Sequence, residues 1–379
     1  MIRLTIPPIE SDDLDAVRTV LESGILVQGA RVMEFEQAVA RHIGVDHAVA
    51  VSNCTAALHL SLLALDVRPG DLVLVTAYSW PATANVIELC GAQPVFVDIR
   101  PDTFNIDPIR LEEEIKRLMS VTETARRVKA IIPVHAFGQM ADMPAIMDLA
   151  DRYGIPVIED AACALGALIA GRQAGTWGRM GCFSFHPRKA ITTGEGGMVV
   201  TNDVGLANRL RCLRNHGLDP EATTPDFIAP GFNYRLTEFQ AAMGFTQMHK
   251  LERVIGARRD KAGIYDKLLS GTEIRPPDGA ANSMPVYQSY VVSLPSTAAT
   301  RRASVICRLK ERGVETTIGT WHMPLARYFR TRYGYRDGDF PVTDRVFAAS
   351  LTLPLHEQLN ADLQQSVVHH LVEAIHEVS

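Results

Sequence analysis

Five short apolar runs punctuate the first half of the chain, at 47–52, 72–76, 94–98, 128–134 and 155–158. Between them lie stretches whose apolar residues recur at helical spacing, at 56–65, 82–89, 111–118 and 145–153. Near-continuous apolar strands separated by helices predict a mostly parallel sheet covered on both faces. Two helices precede it. One spans 11–21, capped by Ser11-Asp12-Asp13, and one spans 32–42 with Phe35, Val39 and Ile43 on a single face. Two more strands, 182–185 and 198–201, flank a polar loop that holds Gly194, Gly196 and Gly197. A helix at 205–215 leads into 217–230, a Gly- and Pro-containing loop too long for a plain connector. A helix then opens at 237 and runs through 251 to about 269. From about 252 the rhythm changes, with strands at 286–294 and 314–318 and helices at 303–312, 344–350 and 361–378. The fold class is therefore α/β, with a large domain over 1–251 and a smaller C-terminal α+β domain over 252–379.

Charge and cysteine usage narrow the function. The net charge is −5, and the basic clusters at 209–214 and 258–261 read as solvated helix faces, so nucleic acid is not an expected partner. The N-terminus lacks a signal peptide's apolar core, and no apolar run approaches a membrane span. The six cysteines form no Cys-x-x-Cys pair. That pattern argues against disulfides and a zinc site, and for a reducing, cytoplasmic setting.

In parallel sheets ligands bind at the carboxyl ends of the strands, so the polar residues there are the candidates. Lys189 lies on the glycine-rich loop between two buried strands, where burial favours the neutral amine that an aldehyde requires. Asp160 closes the run at 155–158 and faces the crevice. A lysine and a carboxylate together suit pyridoxal phosphate, which needs an amine for its aldehyde and an acid to keep its ring nitrogen protonated. Its phosphate needs a cradle. Ser52-Asn53-Cys54-Thr55-Ala56-Ala57 joins a strand to a helix N-terminus whose free N–H groups, with the Thr55 hydroxyl, form an anion site. Ser184 offers a second hydroxyl, and Trp80 can stack on a flat ring. His135, after the run at 128–134, either lines the site or satisfies a backbone group, the second being the better reading.

Several ordered segments carry a family resemblance: Val-Ser-Asn-Cys-Thr-Ala-Ala-Leu-His-Leu, Pro-Val-His-Ala-Phe-Gly-Gln-Met-Ala-Asp-Met, Ile-Glu-Asp-Ala-Ala, Ser-Phe-His-Pro-Arg-Lys with Thr-Gly-Glu-Gly-Gly, and Gly-Phe-Asn-Tyr-Arg-Leu-Thr-Glu. The chain resembles the DegT/DnrJ/EryC1/StrS family of sugar aminotransferases over nearly its whole length. The resemblance implies the fold-type I architecture of pyridoxal-phosphate enzymes, a homodimer with sites at its interface, and bound pyridoxal 5′-phosphate, passing through its aminated form. It assigns Lys189 as the Schiff-base lysine and Asp160 as the partner of the ring nitrogen. Thr55, Ala56 and Ser184 fall to the phosphate, Trp80 to ring stacking, and Asn233 reaches the phosphate of the second subunit. Cys163 stands where the family often has Gln or His near the ring, and as a weak hydrogen-bonding thiol it reads as an inert packed residue. His322 lies where the family places a substrate-facing group.

The expected reaction moves an amine from an amino acid, glutamate, to a keto-sugar carried on a nucleotide. A cyclitol aminotransferase and a sugar dehydratase on the same fold are the alternatives. The dehydrating members usually carry histidine where Lys189 stands. A nicotinamide enzyme is disfavoured because no Gly-x-Gly-x-x-Gly follows the first strands.

Overall fold

The computed structural model describes residues 1–280 and 282–378. At its centre are β1 (His47–Val51), β2 (Leu72–Thr76), β3 (Gln93–Val97), β4 (Val128–Ile132), β5 (Ile158–Asp160), β6 (Met180–Ser184) and β7 (Gly197–Thr201). They hydrogen-bond in the order β1-β7-β6-β5 and β3-β2-β4. Parallel bridges Ile131↔Val157 and Val134↔Asp160 join the two parts between β4 and β5. Every neighbouring pair is parallel except those of β7, which runs antiparallel to both β1 and β6.

The continuous apolar runs have a direct cause: both faces of the sheet are buried. Ala48, Ala50, Leu72, Leu74, Val95 and Ile131 pack on one face with helices Ala30–Ile43 and Met143–Tyr153. Their chain neighbours Val49, Val51, Val73, Val75, Phe96 and Ile132 pack on the other with helices Cys54–Ala64 and Val204–Arg214. Period-two alternation delivers successive residues to opposite cores, so no polar face remains.

A third core forms around Tyr265, Tyr290, Leu309, Leu351, Val367 and Leu371. Strands Tyr290–Ser293 and Thr317–Ile318 flank Ser350–Leu353 there, all antiparallel. The chain's first residues join this part, through the bridge Ile2↔Val314. In the other direction Met323, Phe329 and Phe340 cross back to pack with Phe96 in the second core.

Several expectations need correction. The long helix from 237 is two helices, Glu238–Met248 and Leu251–Leu269. They break at Lys250, whose buried Nζ is held by Asp12 at 2.6 Å and Asp13 at 2.7 Å. No glycine or proline marks that break. The helix expected at 344–350 is Pro341–Ala349, its first turn capped by Asp98, which accepts from the Val342 and Thr343 N–H groups. Ser350 instead begins a strand. One more helix, Arg327–Tyr333, lies between the expected elements. The clusters at 209–214 and 258–261 are not wholly solvated faces. Arg214 is buried and paired with Glu36 at 2.5 Å. Arg258 is buried too, donating to the Gln288 carbonyl at 2.8 Å.

Candidate active site

The carboxyl end of the sheet collects the candidate residues. Helix Cys54–Ala64 begins two residues before the expected position because Asn53 caps it, its side chain accepting from the Ala56 N–H at 2.8 Å. That bond engages the Ala56 donor. The first-turn N–H groups of Cys54 and Thr55 have no intrahelical partner and point off the helix end, where the partial charge is positive. Thr55 is exposed there. Gly197, the first residue of β7, lies against this turn so closely that a Cβ would sit 2.4 Å from the Asn53 carbonyl carbon and oxygen and 2.7 Å from the Cys54 nitrogen. Ser184 stands opposite Gly197 in the register of β6 and β7. The antiparallel pair thus sets a hydroxyl and a helix N-terminus on one edge.

The lysine loop leaves β6 and re-enters β7 at that same edge. It is closed by bonds from Phe185 N–H to Gly196 O at 2.9 Å and Thr193 N–H to Phe185 O at 3.0 Å. Gly194 takes φ +79, a left-handed turn that glycine adopts without steric cost. Lys189 Nζ lies 3.1 Å from Cys163 Sγ. Cys163 is therefore not an inert packed residue: it contacts the amine. Burial alone favours the neutral lysine, but Cys163, Cys54 and the Asp160 carboxylate outweigh it and hold Lys189 above the ordinary lysine value. Burial and these neighbours thus act on the amine in opposite directions. The neighbouring groups, invisible in the local sequence, decide its charge.

Asp160 is the last residue of β5, and it is 5% exposed. Its Oδ2 accepts from the Thr83 hydroxyl at 2.7 Å and its Oδ1 from the Ala162 N–H at 3.2 Å. Burial raises its pKa, and those two donors, Lys189 and His135 pull against that rise. Next to it Glu159 is fully buried and accepts from the N–H groups of Gly175, Trp177 and Gly178 at 2.7–2.8 Å. Its remaining partner is His135 Nε2 at 3.0 Å. His135 Nδ1 accepts from the Ala141 N–H at 3.2 Å, so Nε2 carries the proton. His135 thus has the backbone-satisfying role read from the sequence.

Trp80 is 63% exposed at the open side of the crevice, one turn before Thr83. His322 is buried, its Nε2 2.9 Å from Asp344 and its strand paired with Tyr78–Ser79. Burial lowers its pKa, opposed by Asp344. Asn233 is exposed, on an extended segment bridged to Asn215. The sequence does not mark Thr83 as a site residue. Its place in Trp-Pro-Ala-Thr at the start of a helix was visible, but not the carboxylate it meets from 77 residues away.

An amine, a buried carboxylate backed by a hydroxyl, and a helix N-terminus beside a second hydroxyl match the aldehyde, ring nitrogen and phosphate of pyridoxal 5′-phosphate. The chain is a pyridoxal-phosphate-dependent aminotransferase. It belongs to the DegT/DnrJ/EryC1/StrS aminotransferase family, whose model matches residues 7–372. It is 37% identical over 373 residues to the GDP-perosamine synthase of Caulobacter vibrioides, covering 97% of this chain and 96% of that one. Its fold is similar to that of Helicobacter pylori PseC, an aminotransferase of pseudoaminic acid biosynthesis, with TM-score 0.91, 26% identity and 99% of each chain covered. Spr1654 of Streptococcus pneumoniae, solved in its PLP form, superposes with TM-score 0.92 at 25% identity, covering 100% of this chain and 99% of that one.

Proposed function

We propose that the enzyme moves an amino group from an amino acid, glutamate, to a keto-sugar carried on a nucleotide, in amino-sugar biosynthesis. The observation that carries this reading is the full-length similarity to GDP-perosamine synthase, together with the lysine, carboxylate and helix N-terminus at one sheet edge.

Pyridoxal phosphate, when bound, supplies an aldehyde that takes the amine and a ring that draws electron density from the substrate carbon. The residues divide the remaining work. The Cys54 and Thr55 N–H groups, with the Thr55 and Ser184 hydroxyls, hold the phosphate. Asp160 accepts the ring nitrogen's proton in a hydrogen bond and keeps it there, and Trp80 covers one ring face. Lys189 Nζ would hold the cofactor at rest and, once released, would move a proton between the substrate carbon and the cofactor's C4′ carbon. Residues 1–251 supply this machinery, and 252–379, with His322, shape the acceptor pocket.

The dimer belongs to the same proposal. Asn233 is exposed on its own subunit, which frees its amide to reach the phosphate of a partner across a two-fold interface. Mixing Lys189→Ala subunits with Asn233→Asp subunits tests it. If the two residues serve one site from different chains, exchange restores one intact site per heterodimer, and activity returns. No recovery after verified exchange refutes the shared site.

The acceptor is tested by adding amino sugars to the aldehyde form and following the cofactor's absorbance as it takes up the amine. Nucleotide-linked amino sugars should convert it, whereas free amino sugars and amino-cyclitols should not. Conversion by an amino-cyclitol alone refutes the nucleotide-sugar reading.

A further inference from the structure

Asp160 must stay ionised inside a buried site, and Lys189, the cation beside it, is consumed once it binds the cofactor's aldehyde. The ring nitrogen's own charge then takes the place of Lys189, and the hydrogen bonds to the carboxylate decide which of its lone pairs meet that nitrogen. Thr83 is 1% exposed, and its Oγ1 lies 2.7 Å from Asp160 Oδ2. It also lies 3.3 Å from Ser79 Oγ and 3.3 Å from the Trp80 carbonyl. A threonine hydroxyl has one hydrogen, and an ionised carboxylate can only accept. The short contact to the charged acceptor takes that hydrogen. Ser79, itself buried, must then be the donor to Thr83. The proton order is fixed: Ser79 to Thr83 to Asp160. With Oδ1 engaged by the Ala162 N–H and Oδ2 by Thr83, the carboxylate cannot rotate, and its remaining lone pairs are left for the ring nitrogen.

We propose that Thr83 is a positioning residue that keeps Asp160 ionised and fixed for the cofactor's ring nitrogen, with Ser79 ordering the Thr83 hydroxyl. The inference rests on the reading of Asp160 as the ring-nitrogen partner. It also ties the C-terminal part to the cofactor acid, because Ser79 is the strand partner of Trp321.

The test uses cofactor affinity and ring protonation rather than turnover. Thr83→Val keeps the side-chain shape and removes the hydroxyl; Thr83→Ser keeps the hydroxyl. Pyridoxal phosphate is titrated into each protein by absorbance. Ring-labelled cofactor is then observed by nitrogen-15 NMR, which distinguishes pyridine from pyridinium. Losing one hydrogen bond to a charged group should weaken cofactor binding in Thr83→Val by about 10- to 100-fold. Its nitrogen resonance should move toward neutral pyridine, and Thr83→Ser should restore both. Wild-type affinity and resonance in Thr83→Val overturn the proposal. Should Thr83→Val not fold, Thr83→Ala is judged by the same two readouts. Asp160→Asn separates the two readings. If its resonance shifts while that of the Thr83 variants does not, only the role of Thr83 fails. If its resonance stays at the pyridinium position, Asp160 is not the ring-nitrogen partner.

Discussion

Gly197→Ala is the sharpest single test of the phosphate end. The added methyl carbon would stand 2.4 Å from the Asn53 carbonyl carbon and oxygen and 2.7 Å from the Cys54 nitrogen. Ordinary carbon contacts begin near 3.5 Å, so backbone must retreat by roughly 1 Å. No flexible side chain can absorb this, because every close atom is main chain. β7 is pinned on both sides, to Val51 of β1 and Ser184 of β6, so the first turn of helix Cys54–Ala64 is what moves. Overpacking of this kind costs about 1–3 kcal/mol of stability. Displacing the N–H donors by about 1 Å should also weaken cofactor binding on the order of a hundredfold, the scale of a comparable misplacement in a catalytic site. Gly194→Ala is the control. Gly194 has φ +79 and no atom within 4 Å of a Cβ, so alanine there meets left-handed strain of about 1–2 kcal/mol and no clash. Thermal unfolding of the cofactor-free proteins and absorbance titration with pyridoxal phosphate separate the two effects. Both variants should lose stability, but only Gly197→Ala should lose affinity. Wild-type affinity in Gly197→Ala would refute the placement of the phosphate at this helix end.

Three further predictions follow from the same geometry. Borohydride should fix the cofactor to Lys189, seen by peptide mass, and Lys189→Ala should bind the cofactor without fixation while turnover falls by about 10²–10⁴-fold. Asp160→Asn should raise the melting temperature of the cofactor-free protein at neutral pH. The folded pKa of Asp160 is raised above 3.8, so its ionised form costs stability; that cost disappears as pH falls through the folded value, and the gain should vanish with it in a pH series of melting curves. Arg214→Met should cost about 3–5 kcal/mol in denaturant unfolding, because it strands the buried Glu36 carboxylate while Glu36 still accepts the Ala50 N–H at 2.8 Å.

The parallel sheet and its helices were legible because burial on both faces writes continuous apolar runs into the chain. Asp160, Thr55 and Ser184 were legible as candidates because each closes a strand or opens a helix, and Lys189 because it sits on the glycine-rich loop between two strands. The details that set the chemistry were not, since each depends on a group far away in sequence. The pKa of Lys189 is lowered by burial and raised by the Cys163 contact and the Asp160 carboxylate, and the ionisation of Asp160 is helped by Thr83. The cap at Asn53 shifted the helix start by two residues and used the Ala56 donor that had been assigned to the phosphate. The break between the two helices falls at Lys250, whose amine meets Asp12 and Asp13 of the first helix, a contact that no local propensity encodes.

The antiparallel placement of β7 has a consequence for the order of folding. The phosphate cradle is built where residues 47–51 meet residues 197–201, segments from opposite ends of the large sheet's sequence. Closing so long a loop is entropically slow and comes after local helices and the parallel β2–β3 pair have formed. A nascent chain that has not yet emerged past Thr201 has the N-terminal turn at Cys54 but no strand to hold Lys189 against it. Cofactor capture therefore follows the β1–β7 pairing, and the appearance of the bound chromophore during refolding times that pairing rather than the first collapse.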